Sequence, residues 1–167
     1  MHIRSEQQAD VSGIRAVNLA AFETRAETDL VDALREQAAP LISLVAEDDA
    51  AIVGHILFSP VTLDGHPEIL LMGLAPMAVT PTRQRQGIGS ALVRAGLDAG
   101  RRTGVHAVVV VGHATYYPRF GFVPASQFGL SCEYEVPDDV FMATELDPGV
   151  LSGRSGMIHY HPAFASV

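Results

Sequence analysis

Apolar residues at Ile14, Val17 and Ala21 recur at the spacing of one helix face, and Leu30 and Leu34 stand one turn apart further on. The spacing predicts two helices near the start of the chain. The first opens near Asp10, whose side chain is placed to cap the free amides of the first turn. Ahead of it, Ile3-Arg4 reads as a short strand. Leu41 to Ala46 and Ala51 to Phe58 are apolar, β-branched runs separated by Glu47-Asp48-Asp49-Ala50, which predicts a hairpin. The next strand, Ile69 to Val79, contains Gly73 and Pro76. Proline has no N–H for a sheet ladder, so a bulge or broken pairing is expected there, with backbone groups left free. A turn with glycines follows, then a helix from about Ile88 to Arg102 that ends at Gly104, then the apolar strand Val105 to Val111, predicted to be buried on both faces. Glycine and proline thicken after position 112, with strands expected at Phe141 to Leu146 and Met157 to His161. The pattern is mixed α/β, and no repeat or linker divides residues 1–167 into more than one domain.

Composition narrows the function classes. At 48% hydrophobic and 18% charged residues the chain is an ordered globular one, long enough for its own core. The net charge is −8, and every basic residue is arginine, so phosphate backbones are repelled on average and no nucleic-acid partner is expected. The longest apolar runs fall far short of a bilayer span, so no membrane partner is expected either. Cys132 is the single cysteine, which excludes an internal disulfide, and no secretory leader is legible; the cytoplasm is the default compartment.

The most informative stretch is Thr80-Pro81-Thr82-Arg83-Gln84-Arg85-Gln86-Gly87-Ile88-Gly89-Ser90, between a strand and a helix. Its glycines permit positive φ and close approach of a ligand to the backbone, while the first amides of the helix have no partner inside it. Such a turn suits a pyrophosphate, held by free N–H groups and the positive end of the helix dipole. A P-loop would need a lysine, which the chain lacks, and a dinucleotide fingerprint would need glycine where Leu92 stands.

Gln84-Arg85-Gln86-Gly87-Ile88-Gly89 resembles the Q/R-x-x-G-x-G/A signature of the GNAT acetyltransferases. The strand before it, Gly73-Leu74-Ala75-Pro76-Met77-Ala78-Val79, and the later Gly112-His113-Ala114-Thr115-Tyr116-Tyr117-Pro118-Arg119-Phe120-Gly121-Phe122 are similar to the YhbS-like branch of that superfamily. The resemblance covers essentially the whole chain. It implies a twisted mixed sheet of about seven strands flanked by helices and splayed between the fourth and fifth strands, where the pantetheine arm of acetyl-CoA enters. It implies a cofactor site made of Met77, Ala78, Val79, Gln84, Arg85, Gln86, Gly87, Ile88, Gly89, Ser90, His113 and Tyr116. No metal is implied.

Moving an acetyl group from a thioester to an amine requires a neutral amine, oxyanion stabilisation and a proton for the departing thiolate. The resemblance assigns the proton to the tyrosine four residues before Gly121-Phe122, which is Tyr117, with Tyr116 as the alternative. Pro118 disfavours a helical Tyr117. The oxyanion donor expected from the strand break is the backbone N–H of Ala78 or a neighbour. Met72 to Val79 holds no carboxylate, so a base on that strand is not carried over; His113, Glu23 and Glu133 are weaker candidates. His55 and His66 have no partners in sequence, and Cys132 carries no nucleophile motif. The expected function is transfer of an acetyl group to a primary amine of a small molecule or peptide by direct attack in a ternary complex. A non-catalytic acyl-CoA sensor and a transferase of longer acyl groups are the alternatives, and a homodimer is the assembly considered.

Overall fold

Strand β1 (His2–Ser5) is followed by helices α1 (Val11–Ala21) and α2 (Ala26–Gln37), the hairpin β2 (Ile42–Asp48) and β3 (Ala51–Leu63), and β4 (Leu71–Val79). Helix α3 (Ile88–Arg102) leads into β5 (Ala107–Val111), and the chain closes with β6 (Val123–Pro124), β7 (Leu130–Cys132), β8 (Phe141–Glu145) and β9 (Gly156–His159). The computed structural model describes residues 1–166; residue 167, the last of the expected domain, lies outside them.

The sheet is mixed, in the order β1-β2-β3-β4-β5-β8-β6, and β9 joins the far end of β3 with β7 alongside. Among the described residues it therefore has nine strands where about seven were expected. The two added strands, β6 and β7, are two and three residues long, too short to show a period of two. The hairpin turn is tighter than the sequence suggested, because Glu47 and Asp48 continue β2 and only Asp49 and Ala50, both at positive φ, make the reversal.

The break expected at Pro76 is present. The β3–β4 register shifts between Ile56 and Phe58, opposite Ala75 and Pro76. On its other edge β4 pairs with parallel β5 only through Leu71, Met72 and Gly73. Beyond Gly73 the two strands diverge, which leaves the β5-facing edge of β4 open.

Two layers bury the sheet. Leu92, Val93 and Leu97 of α3 pack on Phe58, Met72, Leu74 and Val108, while Ile14, Leu30, Val31 and Leu34 of α1 and α2 cover Val45 and Leu57 on the opposite face. Asp10 does not cap α1. Its carboxylate accepts the Gln7 N–H at 2.7 Å and two bonds from Arg4 at 2.7 and 2.9 Å, tying β1 to the helix entrance. That arginine holds the Asp10 carboxyl at about 2.

Close approach of α3 to β3 depends on Gly96. A Cβ there would lie 2.2 Å from Phe58 Cε1. Alanine improves helix propensity by about 1 kcal/mol, yet overpacking of this kind costs roughly 1–3 kcal/mol. Gly96→Ala is expected to lower the urea midpoint; an unchanged or raised midpoint would mean that the Phe58 ring swings clear.

Candidate active site

The turn before α3 carries two consecutive preparations for an anion. Arg85 and Gly87 take positive φ, 62° and 86°, so the backbone curls around its own N–H groups. No side chain caps α3, and its first helical bond runs from Ala91 N–H to Gly87 O, so the amides of Ile88, Gly89 and Ser90 face outward. A cleft of about 390 Å³ opens over them, lined by Val79, Arg83, Gln84, Arg85, Gly87, Ile88, Gly89, Ser90, Tyr116 and Arg119.

Several side chains brace this cleft. Arg83 is held by Asp48 at 2.6 Å, and the Gln84 amide donates to Val79 O at 3.0 Å, fastening the turn to the end of β4. Gln86 does not line the cleft; it is exposed and bonds Thr82 O and Arg83. Tyr116 and Ser90 share a hydroxyl hydrogen bond of 2.9 Å, and the Arg119 guanidinium lies 4.6 Å over the Tyr116 ring while bonding the carbonyls of Tyr116 and Thr115. Arg119 escaped sequence reasoning, since nothing in the spacing distinguishes it from a surface arginine. Among the described residues it has no carboxylate partner, in a chain of net charge −8.

The register of β4 decides which amides are available. Thr80 N–H donates to Val53 O on β3, and alternation along an antiparallel ladder turns the N–H of Ala78 the same way. By that alternation the Ala78 N–H belongs to the β3 ladder and not to the gap, so of the expected donors, Ala78 or a neighbour, the neighbours Met77 and Val79 are the ones left. The N–H groups of Met77 and Val79 point across the gap toward β5. Met77 also lies beside the phosphate turn, its Sδ and Cε 3.7 and 3.5 Å from where a Gly89 Cβ would stand.

Tyr117 opens a short 3-10 turn, Tyr117–Phe120, with Pro118 in its first positions; the expected bar to helical backbone does not extend to this single turn. Its ring is buried, edge-on to Tyr116 at 5.1 Å and Phe122 at 5.6 Å, and packs over Gly112 just past the end of β5. Burial pushes its hydroxyl up to about 12, so it remains protonated at neutral pH. Among the described residues that hydroxyl has no hydrogen-bond partner.

The other candidates fall elsewhere. His113 is exposed, its carbonyl accepting the N–H of Tyr116, and its side chain lines neither cleft at the strand gap. Glu23 is exposed between α1 and α2. Glu133 is committed, accepting the Tyr160 N–H at 2.6 Å and contacting His159 Nδ1 at 3.2 Å. Burial pushes the Cys132 thiol up, away from the thiolate that a nucleophile requires.

On the face of the sheet away from α3, a second cleft of about 390 Å³ sits where β4 and β5 part. Leu74, Ala75, Val111, Tyr134, Val136, Tyr160, Phe164 and Ala165 line it. Leu74 also belongs to the core under α3, so the cleft reaches into the gap between the strands.

His55 found partners that the sequence did not show. It is fully buried, with Nε2 2.9 Å from Ser43 Oγ, which donates to Glu6 at 2.6 Å, and Nδ1 3.5 Å from Asn18 Nδ2. Burial pushes it down to about 4 from 6.5. The unfolded chain then takes up a proton below pH 6.5 that the folded chain refuses until about pH 4, so stability is full above this window and is lost as pH falls through it. The expected loss is on the order of 3 kcal/mol, read as a falling urea midpoint and flattened in His55→Gln. A wild-type midpoint constant from pH 6.5 to 4.5 would contradict it. The Asp64–His159–Glu133 cluster cannot mimic this, because a raised His159 loses its contribution as pH rises.

Residues 40–124 match the family model of the acetyltransferase (GNAT) domain. The chain is 37% identical, over 98% of both proteins, to the uncharacterized N-acetyltransferase YhbS of Escherichia coli K12. It is 43% identical to the uncharacterized N-acetyltransferase YjhQ of the same strain, over 79% of this chain and 75% of that one. Among solved structures, E. coli YhbS in complex with CoA aligns at a TM-score of 0.93 with 36% identity, covering 98% of this chain and 91% of that one. A GNAT acetyltransferase of Brucella melitensis in complex with acetyl-CoA aligns at 0.80 with 37% identity, covering 98% and 97%.

Proposed function

The chain belongs to the GNAT acetyltransferase family, and from that premise we propose that it moves the acetyl group of acetyl-CoA directly to a primary amine at the gap between β4 and β5. The observation that carries this reading is the open edge of β4 beyond Gly73, which ends at the uncapped amides of α3. Pyrophosphate on the amides of Gly87 to Ser90 would place the pantetheine arm along Met77 and Val79, with Arg85 and Arg119 adding charge from either side of the cleft. The thioester then lies in the gap, reachable from the second cleft.

In that arrangement the amine nitrogen attacks the thioester carbonyl carbon, and the developing oxyanion is met by an N–H of Met77 or Val79. The carbon–sulfur bond breaks, the sulfur takes a proton from the Tyr117 hydroxyl, the nitrogen loses its extra proton to water, and Tyr117 regains a proton from water, so that the enzyme ends each turnover unchanged. Tyr117 suits the acid role by its place, because its ring stands on Gly112 at the mouth of the gap, and its hydroxyl carries a proton at neutral pH. Direct attack is favoured over an acetyl-enzyme by the raised Cys132 thiol, which also lines a different cleft.

Acetyl-CoA labelled in its acetyl group tests the route. Label is expected on an added amine, with none retained on the protein after incubation with acetyl-CoA alone. Stable label on the protein would overturn direct transfer.

A further inference from the structure

Resting on the acetyltransferase reading, we infer that the acceptor is a small primary amine borne on an apolar, aryl-sized body, and not a polyamine or a polar amino acid. The cleft facing the gap is walled by Leu74, Ala75 and Val111 on the sheet side and by a row of rings on the other. Tyr160 stands between Tyr134 and Phe164, with ring centroids 6.0 and 5.1 Å away. The row is held in place from behind. Glu133 takes the Tyr160 N–H at 2.6 Å and contacts His159 at 3.2 Å, and His159 reaches Asp64 at 3.0 Å, so the segments carrying Tyr134 and Tyr160 are clamped together.

No carboxylate lines this cleft among the described residues, although the protein is acidic overall. A polycation would therefore leave charges desolvated and unpaired. An amine on an apolar body buries that body against the rings, with its nitrogen left to reach the gap. The same apolar surroundings favour the neutral amine, the form that attacks, without a dedicated base. The clamp also explains why Glu133 is not that base.

The test is a thiol-release assay of the full chain with acetyl-CoA against 2-phenylethylamine, tryptamine, ethanolamine, lysine and spermidine. The aryl amines are expected to exceed the others in kcat/KM by roughly tenfold or more. Val111→Glu, at a position 44% exposed and thus free of the core, is expected to erase that preference while keeping the rise in melting temperature with acetyl-CoA. Preference for spermidine or lysine in the wild type, or an aryl preference unmoved by Val111→Glu, would overturn the inference. So would faster transfer from octanoyl-CoA to ethanolamine, because the cleft would then hold the acyl chain. If no aryl amine is acetylated and none further stabilises the CoA complex, the inference fails while the melting shift with acetyl-CoA leaves the donor-site reading standing.

Discussion

Tyr117→Phe is expected to lower turnover by roughly 10²–10⁴-fold, the range typical for loss of a positioned general acid. The substitution removes one oxygen and keeps the ring, so the contacts with Tyr116, Phe122 and Gly112 remain. Because the hydroxyl has no partner among the described residues, its removal strands no buried group and folding stability is expected to hold or rise slightly. Acetyl-CoA binding should also survive, since Tyr117 does not line the phosphate cleft. Tyr116→Phe is the contrasting case: its hydroxyl bonds Ser90 at the edge of that cleft, so its loss should act on cofactor affinity more than on turnover. Steady-state kinetics of the two variants separate the roles, and full turnover in Tyr117→Phe would remove this residue from the reaction.

Gly89→Val is expected to abolish the stabilisation that acetyl-CoA confers. At a hundredfold excess over Kd a ligand of the native state contributes about 2.7 kcal/mol, which for a chain of this size is a rise in Tm of roughly 5–10 °C. The first carbon added at Gly89 would meet Met77 and Tyr116 at 3.5 Å, an ordinary contact, so the free protein should accept it. The two further methyls would stand over the amides of the turn and displace the pyrophosphate. Differential scanning fluorimetry with and without acetyl-CoA reads this directly. A folded variant with the full shift would show that the phosphates bind elsewhere.

Helix α3 was legible in its approximate bounds, because glycines stand at both of its ends and both Gly87 and Gly104 adopt the positive φ that begins or ends a helix. The break in β4 was legible for a similar reason, proline being unable to donate to a ladder. What the break does to its neighbours was not. The bulge opposite Ala75 and Pro76 resets which amides face β3, so that Met77 and Val79, and not Ala78, look into the gap; parity across a bulge cannot be counted from a sequence.

The second cleft was invisible for a different reason. Tyr134, Tyr160 and Phe164 come together only through the β7–β9 pairing, between strands of three and four residues that carry no periodic signal of their own. His55 likewise gains its partners from β2, α1 and the residue after β1, an arrangement that long-range packing alone creates. Asp10 shows how a residue type well suited to a cap is diverted when a better partner is near, here the Arg4 guanidinium.

The most direct measurement is the release of free CoA thiol from acetyl-CoA by the wild-type protein, followed with and without an amine acceptor. An acetyltransferase working at the β4–β5 gap is expected to release thiol in proportion to added amine, with stoichiometric N-acetylated product and little release in its absence. Binding of acetyl-CoA with the full melting shift, but no acceptor-dependent thiol across aryl, alkyl and amino-acid amines and peptides, would contradict catalysis and leave a protein that binds acyl-CoA without turning it over.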